Sequence, residues 1–415
     1  MRFLPLRPPV KAIWVPAVAA VLAAGSAGAF ETFDKDRKNI EEFKVAPENA
    51  EAYAHYRKAE AFYFQNERAE ALKEYRKAAE LDPKDSEARY KIGLIFFETD
   101  RREEAVKEWE KVLRLNPEHG ASHYRIGLAL QDEGKLDEAI VEFVDALKYK
   151  RDTDDVRLSL GLALKAKGSI DEAIEVLERA VGQNPDFAEA HYELGRLYLA
   201  RKRRDQALAE FEKAVQAKPD FGAAHHELAQ LLYKKGETEE AVRRWRKAVE
   251  ADPKFLDARY GLAEGLERTK ATDEAVEMYR EILGINPAEA RAYVKLGDIC
   301  LAKSETADAV FNYGAAIAAD ENNSEAYTGL GKAHIAREEF EEAVDALERA
   351  VEIDPKSAPA YLELGLARKG AKLYDEALEA LERYVKLLPR RSKEISEARR
   401  IMRDIRKLNE ALQPT

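Results

Sequence analysis

The chain has 415 residues, of which 46% are hydrophobic and 35% are charged, and its formal net charge is −11. Apolar content at this level, with only 15 prolines and 21 glycines, fits a helix-rich folded protein and argues against a disordered chain. The acidic balance argues against a general nucleic-acid binder, because neutralising phosphates requires a basic surface. We therefore expect no nucleic-acid partner.

The N-terminal segment differs in character from the rest of the chain. Arg2, Arg7 and Lys11 precede an apolar run over residues 12–24, and small residues then continue to Ala29. This order predicts a secretory signal over residues 1–29, cleaved after Ala29, and a protein exported to the periplasm or cell envelope. The apolar run is shorter than the ~20 residues that cross a bilayer, and an uncleaved inner-membrane anchor through residues 12–29 is the alternative. Residues 30–51 read as a charged lead-in segment.

Residues 52–391 consist of ten copies of one 34-residue pattern, without insertion or deletion. The twentieth position is always Ala, and the eighth is Gly in seven copies and Ala in three. The twenty-fourth is aromatic or Leu, and the thirty-second is Pro in eight copies. The ten repeats begin at Ala52, Ser86, Gly120, Asp154, Ala188, Gly222, Leu256, Ala290, Ser324 and Ala358.

These residue choices predict pairs of antiparallel helices. Two helices approach closely only where side chains are small, so we expect the eighth and twentieth residues of a repeat to face each other. The bulky twenty-fourth residue should fill the space towards the next pair. Proline at the thirty-second position ends the second helix, because it lacks an N–H and clashes with the preceding turn. Gly134, Gly168 and Gly236 suit a left-handed cap between the two helices.

The pattern resembles the tetratricopeptide repeat family, whose 34-residue helix–turn–helix unit has the same Gly, Ala, aromatic and Pro spacing. The resemblance covers 340 of the 386 residues after Ala29. It implies an all-α fold, a right-handed solenoid superhelix of ten repeats in which the first helix of each repeat lines a concave groove. Residues 392–415 read as a C-terminal capping helix and tail. Its predicted apolar face holds Ile395, Ala398, Met402, Ile405 and Leu408.

No catalytic constellation is evident in this sequence. Phosphate-binding loops, nucleophile elbows and zinc-spaced Cys/His sets do not occur, so we expect no enzyme, no cofactor and no metal site. His55, His123, His191 and His225 share the fourth position of their repeats, about 10 Å apart by the usual spacing of packed helices. Such residues cannot share a metal ion, and we interpret them as solvated or interface histidines. The single cysteine, Cys300, is interpreted as a small buried hydrophobe or else as an intermolecular disulfide partner.

The predicted groove is the part of the chain that is most informative about function. The resemblance implies that positions two, five, six, nine, twelve and thirteen of each first helix face it. In repeats 1–4 about half of these positions hold aromatic or apolar residues, whereas in repeats 5–8 charged residues are prominent there. One interpretation is a peptide-binding site, and the alternative is that these side chains mostly cover neighbouring helices. The candidate site residues are Tyr53, Tyr56, Tyr63, Tyr90, Leu94, Phe97, Tyr124, Leu128, Leu158 and Leu162.

These observations predict a non-catalytic scaffold that binds a protein or peptide partner, through an amphipathic helix or an extended apolar segment. The alternative is an accessory subunit of an envelope machine that exports pili or polysaccharide. The basic run at residues 201–204 is read as a solvated turn, or as a contact with an acidic partner or anionic lipid. Peripheral contact with a membrane or a membrane complex therefore remains an alternative expectation.

Overall fold

The computed structural model of the protein describes residues 49–149, 153–389 and 392–412, and over these ranges the chain forms only helices, turns and short connections. The predicted signal and all of the lead-in up to residue 48 lie outside the described residues. The chain divides into two compact bodies. The N-terminal body extends to Pro219 and holds repeats 1–5, and the C-terminal body starts at Asp220 and holds repeats 6–10.

The N-terminal body consists of five helical hairpins, one for each repeat. In every hairpin the first helix packs against the second, and in repeats 1–4 the second helix also packs against the first helix of the next hairpin. The predicted all-α repeat architecture is confirmed here. The helices are α1 (Ala50–Phe64), α2 (Arg68–Leu81), α3 (Ser86–Glu98), α4 (Arg102–Leu115), α5 (Gly120–Asp132), α6 (Leu136–Lys148), α7 (Asp154–Lys167), α8 (Ile170–Gln183), α9 (Ala188–Ala200) and α10 (Arg204–Ala217).

The C-terminal body repeats this arrangement five more times and adds one final helix. The final helix packs against the second helix of repeat 10. The helices are α11 (Gly222–Lys235), α12 (Thr238–Ala251), α13 (Leu256–Arg268), α14 (Thr272–Ile285), α15 (Ala290–Ala302), α16 (Thr306–Ala319), α17 (Ser324–Ala336), α18 (Phe340–Ile353), α19 (Ala358–Gly370), α20 (Tyr374–Leu387) and α21 (Glu394–Leu412).

The contact that closes each hairpin differs from the expected one. A Cβ atom added to Gly127, at the eighth position of repeat 3, would lie 2.6 Å from the ring of Phe143, the twenty-fourth residue of the same repeat. A Cβ atom added to Gly195 would likewise collide with the ring of Phe211. The eighth residue is therefore small because it accommodates the bulky twenty-fourth side chain, and at Gly365 a Cβ atom would also lie 3.3 Å from the carbonyl oxygen of Ala377, the twentieth residue. The large ring needs this room since it is fully buried between the two helices.

The twenty-fourth side chain also reaches the following hairpin, as the sequence predicts. Tyr313 is fully buried, and Cβ atoms added to Gly297 in its own repeat or to Gly329 in the next repeat would both collide with its ring. Trp245 contacts Gly261 of the next repeat in the same way. One residue per repeat thus joins the two helices of its hairpin to the neighbouring hairpin.

The turn between the two helices adopts the left-handed conformation in all ten repeats, always at the fifteenth position. Gly134, Gly168 and Gly236 have φ of 75°, 89° and 95°, as predicted. Seven residues with a β-carbon hold φ between 59° and 64° at the same position, where glycine would be less strained. They are Asn66, Asp100, Lys202, Lys270, Ser304, Glu338 and Lys372. Packing of the two helices therefore imposes this turn whether or not a glycine is available.

The last helix covers the end of the array. Met402 and Ile405 of α21 are buried against Ala377 and Leu381 of repeat 10, and Ala398 is also buried. Leu408, expected on the same face, is 43% exposed. This residue lies near the end of α21, where the amide of Asn409 donates to the carboxylate of Asp375 at the start of α20. The apolar face of α21 is thus buried against repeat 10 over the first three turns of the helix.

Candidate peptide-binding groove

The first helices of repeats 1–5 lie side by side and form one surface, which we call the first-helix surface. It is made by α1, α3, α5, α7 and α9. Side chains on neighbouring members bond to each other: Lys91 Nζ lies 3.1 Å from the carboxylate of Glu60, and Lys165 Nζ lies 2.5 Å from that of Glu193. These ion pairs hold successive repeats together on this side of the N-terminal body.

All ten candidate residues lie on the first-helix surface and none of them is fully buried. Tyr53 is 42% exposed, and the other nine side chains are half-buried. The surface therefore has a stretch of apolar side chains that is partly open to solvent in repeats 1–4.

The aromatic members of this set also pack inside the array. The ring of Tyr56 lies 5.4 Å from that of Tyr75, edge to face, and the ring of Phe97 lies 5.8 Å from Trp109. In each case the partner is the bulky twenty-fourth residue of the same repeat. Aromatic pairs at such distances stabilise the fold beyond simple burial. These rings therefore have a structural role whether or not a ligand is bound.

Further aromatic contacts extend across repeat boundaries. The ring of Tyr90 lies 5.2 Å from that of His119, which stands just before the next repeat. The hydroxyl of Tyr124 lies 3.5 Å from that of Ser159 in repeat 4. The tyrosines at the fifth position thus connect successive repeats as well as lining the surface.

Tyr63 is held in a polar network between repeats 1 and 2. Its hydroxyl donates to the carboxylate of Glu98. The guanidinium of Arg68 lies 3.9 Å from the centre of its ring and donates at 2.6 Å to the same carboxylate. Burial, together with the bond to Glu98, raises the pKa of Tyr63 to about 12. Tyr63 is therefore a neutral phenol over the whole physiological range.

The leucines form the most continuous apolar element of the surface. Leu94, Leu128 and Leu162 occupy the ninth position of repeats 2, 3 and 4, and Leu158 lies beside them. All four are half-buried. The ninth position of repeats 5–9 is polar instead, with Arg196, Gln230, Glu264, Asp298 and Lys332. The apolar stripe is thus confined to repeats 2–4 of the N-terminal body.

Two polar residues beside this stripe were not among the candidates. Arg125 and Gln131 lie on α5 on either side of Leu128, and the Arg125 Nε and Gln131 Oε1 atoms are buried without a hydrogen-bond partner. An unsatisfied buried polar atom costs about 1–3 kcal/mol. Such pairs commonly mark places where another group completes the bonding. The sequence places both residues at groove positions, but only the structure shows that their bonding is incomplete.

Two of the four histidines at the fourth position, His123 and His191, connect repeats rather than facing solvent. His123 and His191 are buried, and each bonds the carboxylate at the twenty-third position of its own repeat, Glu142 at 2.7 Å or Glu210 at 2.6 Å. Their other ring nitrogens lie 3.1 Å and 2.9 Å from carbonyl oxygens of the prolines that end the preceding repeats. Of the two predicted alternatives, these two histidines are interface residues.

The basic turn at residues 201–204 is partly used inside the array. Arg201 donates two hydrogen bonds, of 2.9 Å and 2.7 Å, to Asp171 of the preceding repeat. Lys167 and Lys303 form the same kind of ion pair with Asp137 and Asp273, at 2.8 Å and 2.9 Å. Arg201 therefore belongs to a recurring bridge between repeats.

Cys300 is half-buried, and burial raises the pKa of its thiol. Among the described residues, His, Cys, Asp and Glu side chains are nowhere grouped in a way that would hold a metal ion. No helix within that part of the chain is long and apolar enough to cross a membrane.

The architecture and the first-helix surface together define an α-helical repeat protein of the kind that serves as an interaction scaffold. Models of tetratricopeptide repeats match residues 59–100, 99–155, 158–220, 226–290, 273–324 and 300–364. These matches cover well over half of the chain, and it belongs to the tetratricopeptide repeat family. Members of this family typically bind other proteins or peptides.

Solved structures with similar folds include other repeat arrays. MamA is 27% identical over 39% of this chain and 95% of its own, with a TM-score of 0.37. Pseudomonas aeruginosa pilF is 21% identical over 49% of this chain and 92% of its own, with a TM-score of 0.44. Yeast Tom70 is 16% identical over 86% and 96%, with a TM-score of 0.42. No curated protein matches the sequence significantly.

Proposed function

We propose that the protein is a non-catalytic scaffold that binds a segment of a partner protein on the first-helix surface of repeats 1–4. The observation that carries this proposal is the half-buried leucine stripe of repeats 2–4, whose side chains are partly open to solvent. A solvated surface favours polar residues at these positions, as in repeats 5–9, and an exposed apolar patch commonly marks a binding site.

The polar atoms beside the stripe suggest the form of the ligand. Arg125 can donate and Gln131 can accept a hydrogen bond, and these are the two functions that a peptide backbone complements. Both atoms are buried, so a ligand on the surface would reach them only if the two side chains turned outward. We infer that an extended apolar segment fits the stripe better than a helix, whose backbone groups are already bonded within the helix.

The stripe is tested by the double substitution Leu94→Asp and Leu128→Asp. Two charges placed on the stripe would have to be desolvated by an apolar ligand, so partner capture should be lost. Affinity capture from the native cell, followed by mass spectrometry, measures this loss. Both leucines are half-buried, and circular dichroism must show that the helical content is kept.

The matched control carries the same change at the same position in other repeats. Gln230→Asp with Lys332→Asp places two aspartates at ninth positions that are already polar. This control should capture the same proteins as the wild type. Equal capture by the leucine variant and the control would refute the site.

We further propose that the scaffold works in the cell envelope after export, on the basis of the basic and apolar pattern of residues 1–29. N-terminal sequencing of the protein from fractionated cells tests cleavage after Ala29. A retained N-terminus in the inner-membrane fraction would instead support the anchor through residues 12–29. Recovery of a stable membrane complex would favour the second candidate, an accessory subunit of a machine for pilus or polysaccharide export.

A further inference from the structure

The outward face of α16, in repeat 8 of the C-terminal body, is unlike that of any other second helix in the array. Its residues at positions 18, 22, 25 and 29 share one helical face and are all exposed and uncharged. In each of the other nine repeats, at least two of these four positions carry charged residues. The four residues, which we call the α16 face, are Ala307, Phe311, Gly314 and Ala318.

The α16 face consists of one large side chain beside an open notch. Phe311 is 71% exposed. A Cβ atom added to Gly314, one turn further along, would meet nothing within 4 Å. Ala307 and Ala318 continue the face with small side chains. A partner side chain could therefore fill the notch while packing against the ring, and burying a phenylalanine is favourable by about 1.5–3 kcal/mol.

The part of the chain that includes and follows this face is strongly acidic. From Ser304 to Asp354 it contains thirteen acidic residues and three basic ones. On the neighbouring second helix, α18, the residues Glu341, Glu342 and Asp345 are exposed and form no ion pair within the described part of the chain. Both α16 and α18 pack against α17, so these acidic side chains belong to the next second helix after the apolar face.

The apolar face and the acidic residues that follow it favour some binding partners over others. A second copy of the chain would bring the same acidic residues against these, and like charges across an interface are unfavourable. One face of a 14-residue helix, about 21 Å long, also offers far less than the ~800 Å² per partner that a stable dimer buries. An anionic membrane surface is repelled by the same acidic groups.

We propose that the α16 face binds a basic amphipathic helix of a partner protein, with its apolar stripe on Phe311 and Gly314 and its Lys or Arg residues beside the acidic side chains of α18. The apolar contact supplies affinity, and the charges steer and orient the partner. This site is independent of the leucine stripe, since it lies in the other body of the chain.

The test uses the full chain and a fluorescein-labelled 18-residue peptide of Leu and Lys, with leucines at helical i, i+3, i+4 spacing. Fluorescence anisotropy at low and high salt gives its dissociation constant. We expect saturable binding that weakens as salt rises, and at least tenfold weaker binding by Phe311→Glu. Gly314→Gln, which fills the notch on an open helix surface, should weaken binding in the same direction while circular dichroism is unchanged.

The matched control is Leu81→Glu, which changes an exposed apolar side chain of another second helix, 46% exposed in the N-terminal body and away from the first-helix surface. It should bind the probe as the wild type does. A Phe311→Glu variant with wild-type affinity would overturn the proposal, as would equal binding of a Leu and Glu peptide. Loss of probe binding in the Leu94→Asp and Leu128→Asp variant alone would place the probe on the leucine stripe. Self-association that depends on Phe311 in sedimentation velocity, without probe binding, would assign the face to a second copy.

Discussion

The packing of glycine against the bulky twenty-fourth residue predicts opposite effects for one substitution at two sites of repeat 8. Gly297 faces the ring of Tyr313, and an added Cβ would lie 2.7 Å from it, where ordinary contacts are 3.4–4 Å. Gly314 follows Tyr313 in sequence, but a Cβ there meets nothing within 4 Å. Alanine at each position tests whether the contact, rather than glycine content, determines stability.

The ring of Tyr313 cannot move aside to accept the new methyl group. It is fully buried, its hydroxyl donates to Asp298 at 2.7 Å, and Gly329 of the next repeat closes its other side. Crowding a packed core in this way costs about 1–3 kcal/mol. Replacing glycine by alanine inside a helix gains about 1 kcal/mol at both sites. Gly314→Ala should therefore be stabilised by about 1 kcal/mol, and Gly297→Ala should be less stable than Gly314→Ala by about 1–3 kcal/mol.

Urea unfolding followed by circular dichroism measures the overall midpoints. Hydrogen exchange of peptides from α15 and α16 reports the local effect, which is needed because repeat arrays unfold in parts. If Gly297→Ala were as stable as Gly314→Ala, the close approach of the eighth and twenty-fourth residues would not constrain the hairpin. The packing argument would then be wrong for the other repeats as well.

Three further predictions concern the turns and the buried ion pairs. Ser304→Gly should raise the free energy of unfolding by about 1 kcal/mol, because the φ of 62° at this position strains a residue with a β-carbon. Gly134→Ala should lower the free energy of unfolding by a similar amount for the same reason. Thermal unfolding of both variants checks these expectations. Burial lowers the pKa of His123, but its bonds to Glu142 and a proline carbonyl outweigh burial and raise it above 6.5. The stabilisation by His123 should thus be complete below pH 6.5 and lost as pH rises through the folded pKa, and His123→Gln should abolish that dependence in urea titrations. The hydrogen bond with His55 lowers the pKa of Glu74, and Lys58 lowers it further. Burial acts in the opposite direction, and the resulting pKa is about 2. Its stabilisation should be present above pH 4.5 and lost as pH falls towards 2, and acid titration of Glu74→Gln should lack this loss.

The repeat pattern predicted the hairpins because its signals are local. Proline after eight of the ten second helices stops them by steric exclusion, and the helix ends observed at Leu81 and Leu115 agree with this rule. The alternation of small and bulky residues also predicted which faces are buried. It did not predict that Gly127 packs against Phe143, because this contact depends on how the two helices rotate against each other, and periodicity does not report that angle.

The candidate surface was predicted only in part. The positions of Leu94 and Leu128 follow from the repeat number, and both lie on the first-helix surface. Their degree of exposure, and the incomplete bonding of Arg125 and Gln131 beside them, depend on side chains supplied by neighbouring repeats. The exposed Phe311 could have been found earlier by comparing the outward positions of all ten second helices.

The sequence by itself determined the number of repeats, the length of each helix and the places where helices stop, since these depend on residues within about one turn of each other. Only the tertiary structure decided which apolar residues remain exposed to solvent, which buried polar atoms lack a hydrogen-bond partner and which turns are strained. Those properties arise from contacts between repeats, because residues far apart in the chain together determine which side chains water can reach.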